Sequence, residues 1–215
     1  MSTTEIKTLI PLIAPFLTVF LGILAIPVIE VIKNYIERKR LLKALLEELK
    51  DEVKSIKNEY EDVFPCYMNA LSKKNGDQSK KFDTITPLNI VLFSEEKLLN
   101  NHFQNLAPEI RQSLKNIKLL IDPINITIEK FHDLYHEALQ DGDKDNPNLQ
   151  RLIDLLNGYL CNVLALRYHA NYLIDFLLKK SSTLKIYYEI DFDDSIRHQL
   201  KDMDNLNHFY FLRGY

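Results

Sequence analysis

Residues 8–29 read TLIPLIAPFLTVFLGILAIPVI, and residues 31–64 follow without a turn signal as VIKNYIERKRLLKALLEELKDEVKSIKNEYEDVF. No charged side chain occurs between Lys7 and Glu30. About 20 apolar residues suffice to cross a bilayer core of roughly 30 Å. The first stretch therefore predicts a transmembrane helix over residues 8–32 behind a short tail at 1–7. The second is charged but keeps a helical period. One helix is expected from Thr8 to Val63, starting in a membrane and ending outside it, with Pro65 as its stop.

Two heptad rows run through this stretch. One is Pro11, Thr18, Ala25, Ile32, Lys39, Leu46, Val53 and Tyr60; the other is Leu21, Val28, Tyr35, Leu42, Leu49, Ile56 and Val63. Only Lys39 interrupts this apolar or small seam, which predicts packing along the helix at a shallow angle. Pro27 is expected to bend the helix without ending it. Ala14, Thr18, Gly22 and Ala25 fall close to one face, and small residues let helix backbones approach each other in lipid. That face predicts self-association into a homo-oligomer.

Lys33, Arg38, Lys39, Arg40 and Lys43 follow the span, whereas Lys7 is the one basic side chain before it. Counted over Lys and Arg, this asymmetry places the C-terminal domain in the cytoplasm and the N-terminus outside. The same collar predicts contact with lipid headgroups. A cleaved secretory signal would need a shorter apolar core, a basic start and a small-x-small cleavage site. Here the basic residues come after the run, and Ala25-Ile26-Pro27 is a poor site for cleavage.

The remaining chain, 33–215, predicts a helical-bundle domain in which 33–63 continues the long helix. Residues 72–81 (SKKNGDQSKK) read as a loop, and FDTITPLNIVLF (82–93) as extended or irregular. Bundle helices are expected within 94–180. Ser94 is the expected cap of the first, ahead of Glu95 and Glu96. A second starts at Pro108, with Ile110, Leu114, Ile117 and Ile121 at helical spacing, and Pro123 should kink or interrupt it. Asn146-Pro147 opens the longest run, whose apolar residues cover most of the circumference, as in a helix buried on several sides.

From Leu184 to Phe192 apolar residues alternate with polar ones, and Leu88, Ile90 and Leu92 repeat the pattern briefly. A small two-stranded ribbon can form from them. A short helix over about Asp194 to Leu206 leads into the tail HFYFLRGY, expected to pack back on the domain. The fold class is mainly α.

Net charge is −3, so no global basicity points to nucleic acid. The five glycines, at 22, 76, 142, 158 and 214, leave no P-loop, GxGxxG or GxSxG turn. No cofactor is implied. Cys66 and Cys161 give no disulfide framework; Cys161 reads as a core residue and Cys66 as exposed. His132 and His136, four apart on one helix, can share a metal ion. Asp133 stands where HExxH needs glutamate, and no third ligand is evident. Asp141, Asp143 and Asp145 mimic half of an EF-hand loop but lack its glycine and glutamate. Among Glu189, Asp191, Asp193 and Asp194, Asp193 or Asp194 is the expected helix cap. No arginine meets the Arg-to-His spacing of helical HEPN ribonucleases. Arg167, on a mostly apolar helix, requires a carboxylate partner.

The order of these features resembles uncharacterised bacterial single-span membrane proteins. In them an anchor runs into a helix like LLKALLEELKDEV, then a segment like FDTITPLNIVLF, then helices like LAPEIRQSLKNIKLLIDPIN. The likeness covers residues 9–125 and implies a bacterial inner membrane with a helical cytoplasmic domain. In architecture the chain is also similar to membrane-anchored helical effectors of anti-phage systems. The expected function is a non-enzymatic, self-associating membrane protein that scaffolds, senses or perturbs the bilayer. The alternatives are a metal-dependent hydrolase built on His132 and His136, and an adaptor binding a protein partner through its C-terminal tail.

Overall fold

The computed structural model describes the backbone of residues 3–77, 87, 89–140, 146–180 and 191–214, and their side chains except at 3–14, 17, 132, 136, 139 and 140. Among these residues the fold is all helix: α1 (Thr3–Lys74), α2 (Phe93–Asn101), α3 (Pro108–Gln140), α4 (Pro147–Leu177), α5 (Phe192–Asp202) and α6 (His208–Arg213), with a 3₁₀ turn at Phe103–Asn105. The mainly α class is as expected. The chain divides into two compact units, Met1–Lys43 and Ala44–Tyr215, and α1 belongs to both.

Within the first unit the described part of α1 is surface on all sides. Within the second, Leu45, Leu49, Ile56, Tyr60, Val63 and Ala70 of the same helix are almost completely buried. The heptad seam downstream of Ala44 is therefore consumed inside its own domain. A buried leucine or isoleucine contributes about 1.5–3 kcal/mol, so this register is strongly held.

α1 does not stop at Pro65 but runs on to Lys74. Pro65 sits on the exposed face, as does Glu61, whose carbonyl loses its partner there. Water can hydrate that carbonyl, while the flanking Phe64, Cys66 and Tyr67 are buried and hold the helix on course. Cys66 is accordingly buried, not exposed. Pro123 likewise leaves α3 uninterrupted. The carbonyl it frees belongs to the exposed Leu119, and Thr127 Oγ1 donates to the Pro123 carbonyl at 2.8 Å.

α2 starts two residues early, at Phe93, so that Leu92 and not Ser94 stands at its cap position. Ser94 instead donates its N–H and hydroxyl to the carboxylate of Glu48 on α1, at 3.0 and 2.7 Å. Upstream, the Asn125 side-chain amide satisfies both backbone groups of Ile90, accepting from its N–H and donating to its C=O at 2.9 Å. A side chain thus fills the place of a strand partner at Ile90. Of the alternating segment Leu184 to Phe192, which would supply the ribbon's second strand, residues 184–190 lie outside the described residues, and its last member, Phe192, is helical.

α4 is the central helix, buried from Leu149 to Ile174 on most of its circumference, and Asn146 caps it through Asn148 N–H at 2.8 Å. α5 is capped by Asp191, not by Asp193 or Asp194. The aromatic tail packs back as a helix of its own. Phe209 and Leu212 are buried, His208 Nδ1 lies 3.0 Å from the Tyr60 hydroxyl, and its ring stacks on Phe64 with centroids 3.7 Å apart. Tyr67 donates to the Phe211 carbonyl at 2.8 Å, and Asn157 to that of Leu212 at 3.0 Å.

Candidate functional site

The most unusual surface is the first unit itself. From Phe16 to Ile36 every large apolar side chain that is described is 51–75% exposed, around the whole helix. Burying each would return about 1.5–3 kcal/mol, and an exposed apolar surface of this extent marks an interaction surface for a membrane or a protein. This is one helix long and apolar enough to cross a membrane. Thr18, Gly22 and Ala25 are exposed, and a Cβ added at Gly22 would meet nothing within 4 Å. The small-residue face is open to a neighbouring helix. The Ala14 side chain lies outside the described residues. Lys33, Lys39, Arg40 and Lys43 are exposed, while Arg38 is half-buried with its guanidinium 5.5 Å from the Tyr35 ring centroid.

In the second unit the densest polar grouping lies between α4 and α5. Arg167, Asn171 and Asp175, at four-residue spacing on α4, line a cleft of about 400 Å³ with Tyr172, His198, Gln199 and Asp202. Arg167 is only 8% exposed. Its Nη1 donates to Gln199 Oε1 and to Asp202 Oδ2, the latter at 2.7 Å, and its Nε to the Val53 carbonyl at 3.4 Å. The carboxylate expected for Arg167 is therefore Asp202, which is itself half-exposed. A buried guanidinium tied to α1, α4 and α5 locks three helices together, because a buried charge without partners is costly.

A second polar region lies on the inner side of α1. Burial, reinforced by the charge of Glu59 one heptad on, raises the Glu52 carboxyl to about 7. Burial and the charges of Glu59 and Glu52 also raise the Tyr159 hydroxyl. On α4, burial lowers His169 to about 4 and lifts the Cys161 thiol to about 11. Cys161 donates to Asn157 Oδ1 at 3.2 Å. A thiol held protonated is a packing group rather than a nucleophile.

His132 and His136 lie on α3 as expected, but their side chains are outside the described residues, as are Asp141, Asp143, Asp145 and Glu189. No group of three metal-ligating side chains occurs among the described residues. Asp193 bonds Arg213 at 2.6 Å, and Asp194 lies 3.9 Å from Arg197. Glu48, Glu52, Gln199 and Asp202 were not singled out by sequence. The available signal was an acid beside an apolar heptad row, at 48 next to Leu49 and at 52 next to Val53. Comparison with protein-family models, curated proteins and solved structures finds no match.

Proposed function

We propose that the chain is a non-enzymatic, single-span membrane protein that self-associates and scaffolds, senses or perturbs the bacterial inner membrane. The observation that carries this reading is the uncovered apolar surface of α1 from Phe16 to Ile36. The collar from Lys33 to Lys43 supports a cytoplasmic C-terminal domain. The open face of Thr18, Gly22 and Ala25 supports association between copies, since small residues permit close backbone contact in lipid. In the second unit the seam of α1 is already buried, so copies meet through the span. Membrane lipids and a second copy of the chain are the partners this reading names.

Carbonate extraction followed by mass measurement of the detergent-solubilised full chain tests it. An integral membrane protein whose particle is a multiple of the monomer, and which a Gly22→Ile substitution dissociates, is the expected result. Release by carbonate removes the anchor, and a monomer at all concentrations removes the self-association. A tethered adaptor is the second reading, favoured by Leu206, Tyr210 and Phe211, which stay 43–62% exposed although the tail helix is docked.

A further inference from the structure

The cations that follow the span do not all point the same way. At 3.6 residues per turn, Lys33 and Arg40 project from nearly the same side of α1, Arg38 projects from the opposite side, and Lys39 follows Ile32 on the groove's flank. Ile29, Ile32, Lys33, Ile36, Glu37 and Arg40 together line one groove along the helix. The three isoleucines are 52–61% exposed. The groove is thus apolar at Ile29 and Ile32, towards the span, while Lys33 and Arg40 bracket Ile36 and Glu37 further along, so that acyl chain and phosphate of a phospholipid meet apolar and then charged lining. From Glu30 to Lys43, five cations against two carboxylates leave an excess of positive charge.

We propose that this face is a selective site for an anionic phospholipid, with an acyl chain along Ile29, Ile32 and Ile36 and the phosphate between Lys33 and Arg40. Both side chains are long enough to lay their stems on the apolar groove and bring their charged ends together over it. Glu37 projects between them and competes with the phosphate for the same cations. It sets the level of selectivity, and a headgroup with a net negative charge gains most from the collar's surplus. The inference rests on the membrane reading above.

The test uses the full chain in phosphatidylcholine bilayers carrying a trace of spin-labelled phosphatidylglycerol or spin-labelled phosphatidylcholine. The motionally restricted fraction of each label gives their relative affinity. The wild type should favour phosphatidylglycerol, and losing one well-placed cation should reduce that preference by up to about fivefold. The K33Q/R40Q variant should bring the ratio close to unity, Arg38→Gln on the opposite side should retain most of it, and Glu37→Gln should raise it. Equal restriction of both labels in the wild type overturns the site, as does a preference that survives K33Q/R40Q but is lost in Arg38→Gln. A chain that floats with the bilayer yet shows no preference overturns this inference alone. A chain that fails to float overturns the membrane reading together with it.

Discussion

Glu48 on α1 holds the start of α2 by accepting both the N–H and the hydroxyl of Ser94, at 3.0 and 2.7 Å. A carboxylate at a helix N-terminus satisfies an orphan donor and meets the positive end of the helix dipole. Glu48→Ala should destabilise the domain by about 1.5–3 kcal/mol and Ser94→Ala by about 1 kcal/mol, because the second change keeps the backbone bond. Urea denaturation of the full chain in detergent measures both. Equal losses would show that the backbone N–H contributes nothing.

Arg167 is buried while its partner Asp202 is half-exposed, and the two substitutions should differ accordingly. Arg167→Ala should cost about 2–4 kcal/mol, since it removes a buried guanidinium's bonds to Gln199, Asp202 and the Val53 carbonyl, although Asn171 still donates to Gln199. Asp202→Ala should cost about 1–2 kcal/mol, because Gln199 still accepts from the guanidinium. A double-mutant cycle in the same assay should return a coupling of about 1 kcal/mol between them.

Glu52 and His169 give the domain opposing pH dependences. The Glu52 carboxyl sits at about 7 instead of its ordinary 4.5. Its contribution is full below the unfolded value and is lost as pH rises from about 4.5 to 7, on the order of 2 kcal/mol after allowing for solvent screening. His169 lies at about 4 instead of 6.5; its contribution is full above 6.5 and is lost as pH falls to about 4. Glu52→Gln should therefore equal the wild type near pH 4 and exceed it at pH 8. Unfolding midpoints at the two pH values test this, and a constant difference would reject it.

The tail helix should behave as part of the core. Phe209→Ala is expected to cost about 3–5 kcal/mol, because the ring is 4% exposed and packs under the Arg197 guanidinium, 4.6 Å away. Tyr210→Ala, at 62% exposure, should stay within about 0.5 kcal/mol. Thermal unfolding separates the two, and similar small losses would mean that the tail docks without stabilising.

Pro65 lies inside α1 on its exposed side, so Pro65→Ala should stabilise the domain. Restoring the Pro65 amide hydrogen bond and removing the ring clash favour the folded helix, while the freer unfolded chain offsets part of the gain. A net increase of about 1–2 kcal/mol is expected in denaturant melts. A loss would show that the proline sets a bend on which the packing of Phe64 and Tyr67 depends.

Much of this architecture was legible from local pattern. A run from Lys7 to Glu30 without a charge marks a helix apolar enough to cross a membrane, and heptad spacing alone marks Leu49, Ile56 and Val63 as buried. The Asn146-Pro147 start and the all-round apolar pattern of α4 were equally local, because capping and periodicity act within a few turns. What tertiary structure decided were the exceptions to those local rules. Pro65 and Pro123 stay inside helices because the carbonyls they free, at Glu61 and Leu119, lie on exposed sides. Ser94 turns from a cap of its own helix to a partner of Glu48, and Asn125 takes the place of a strand beside Ile90. Arg167 finds Asp202 some 35 residues away on α5, and Glu52 acquires a neutral-range carboxyl only once other helices enclose it. Burial and long-range pairing depend on which helices come together, and no spacing along one helix encodes that.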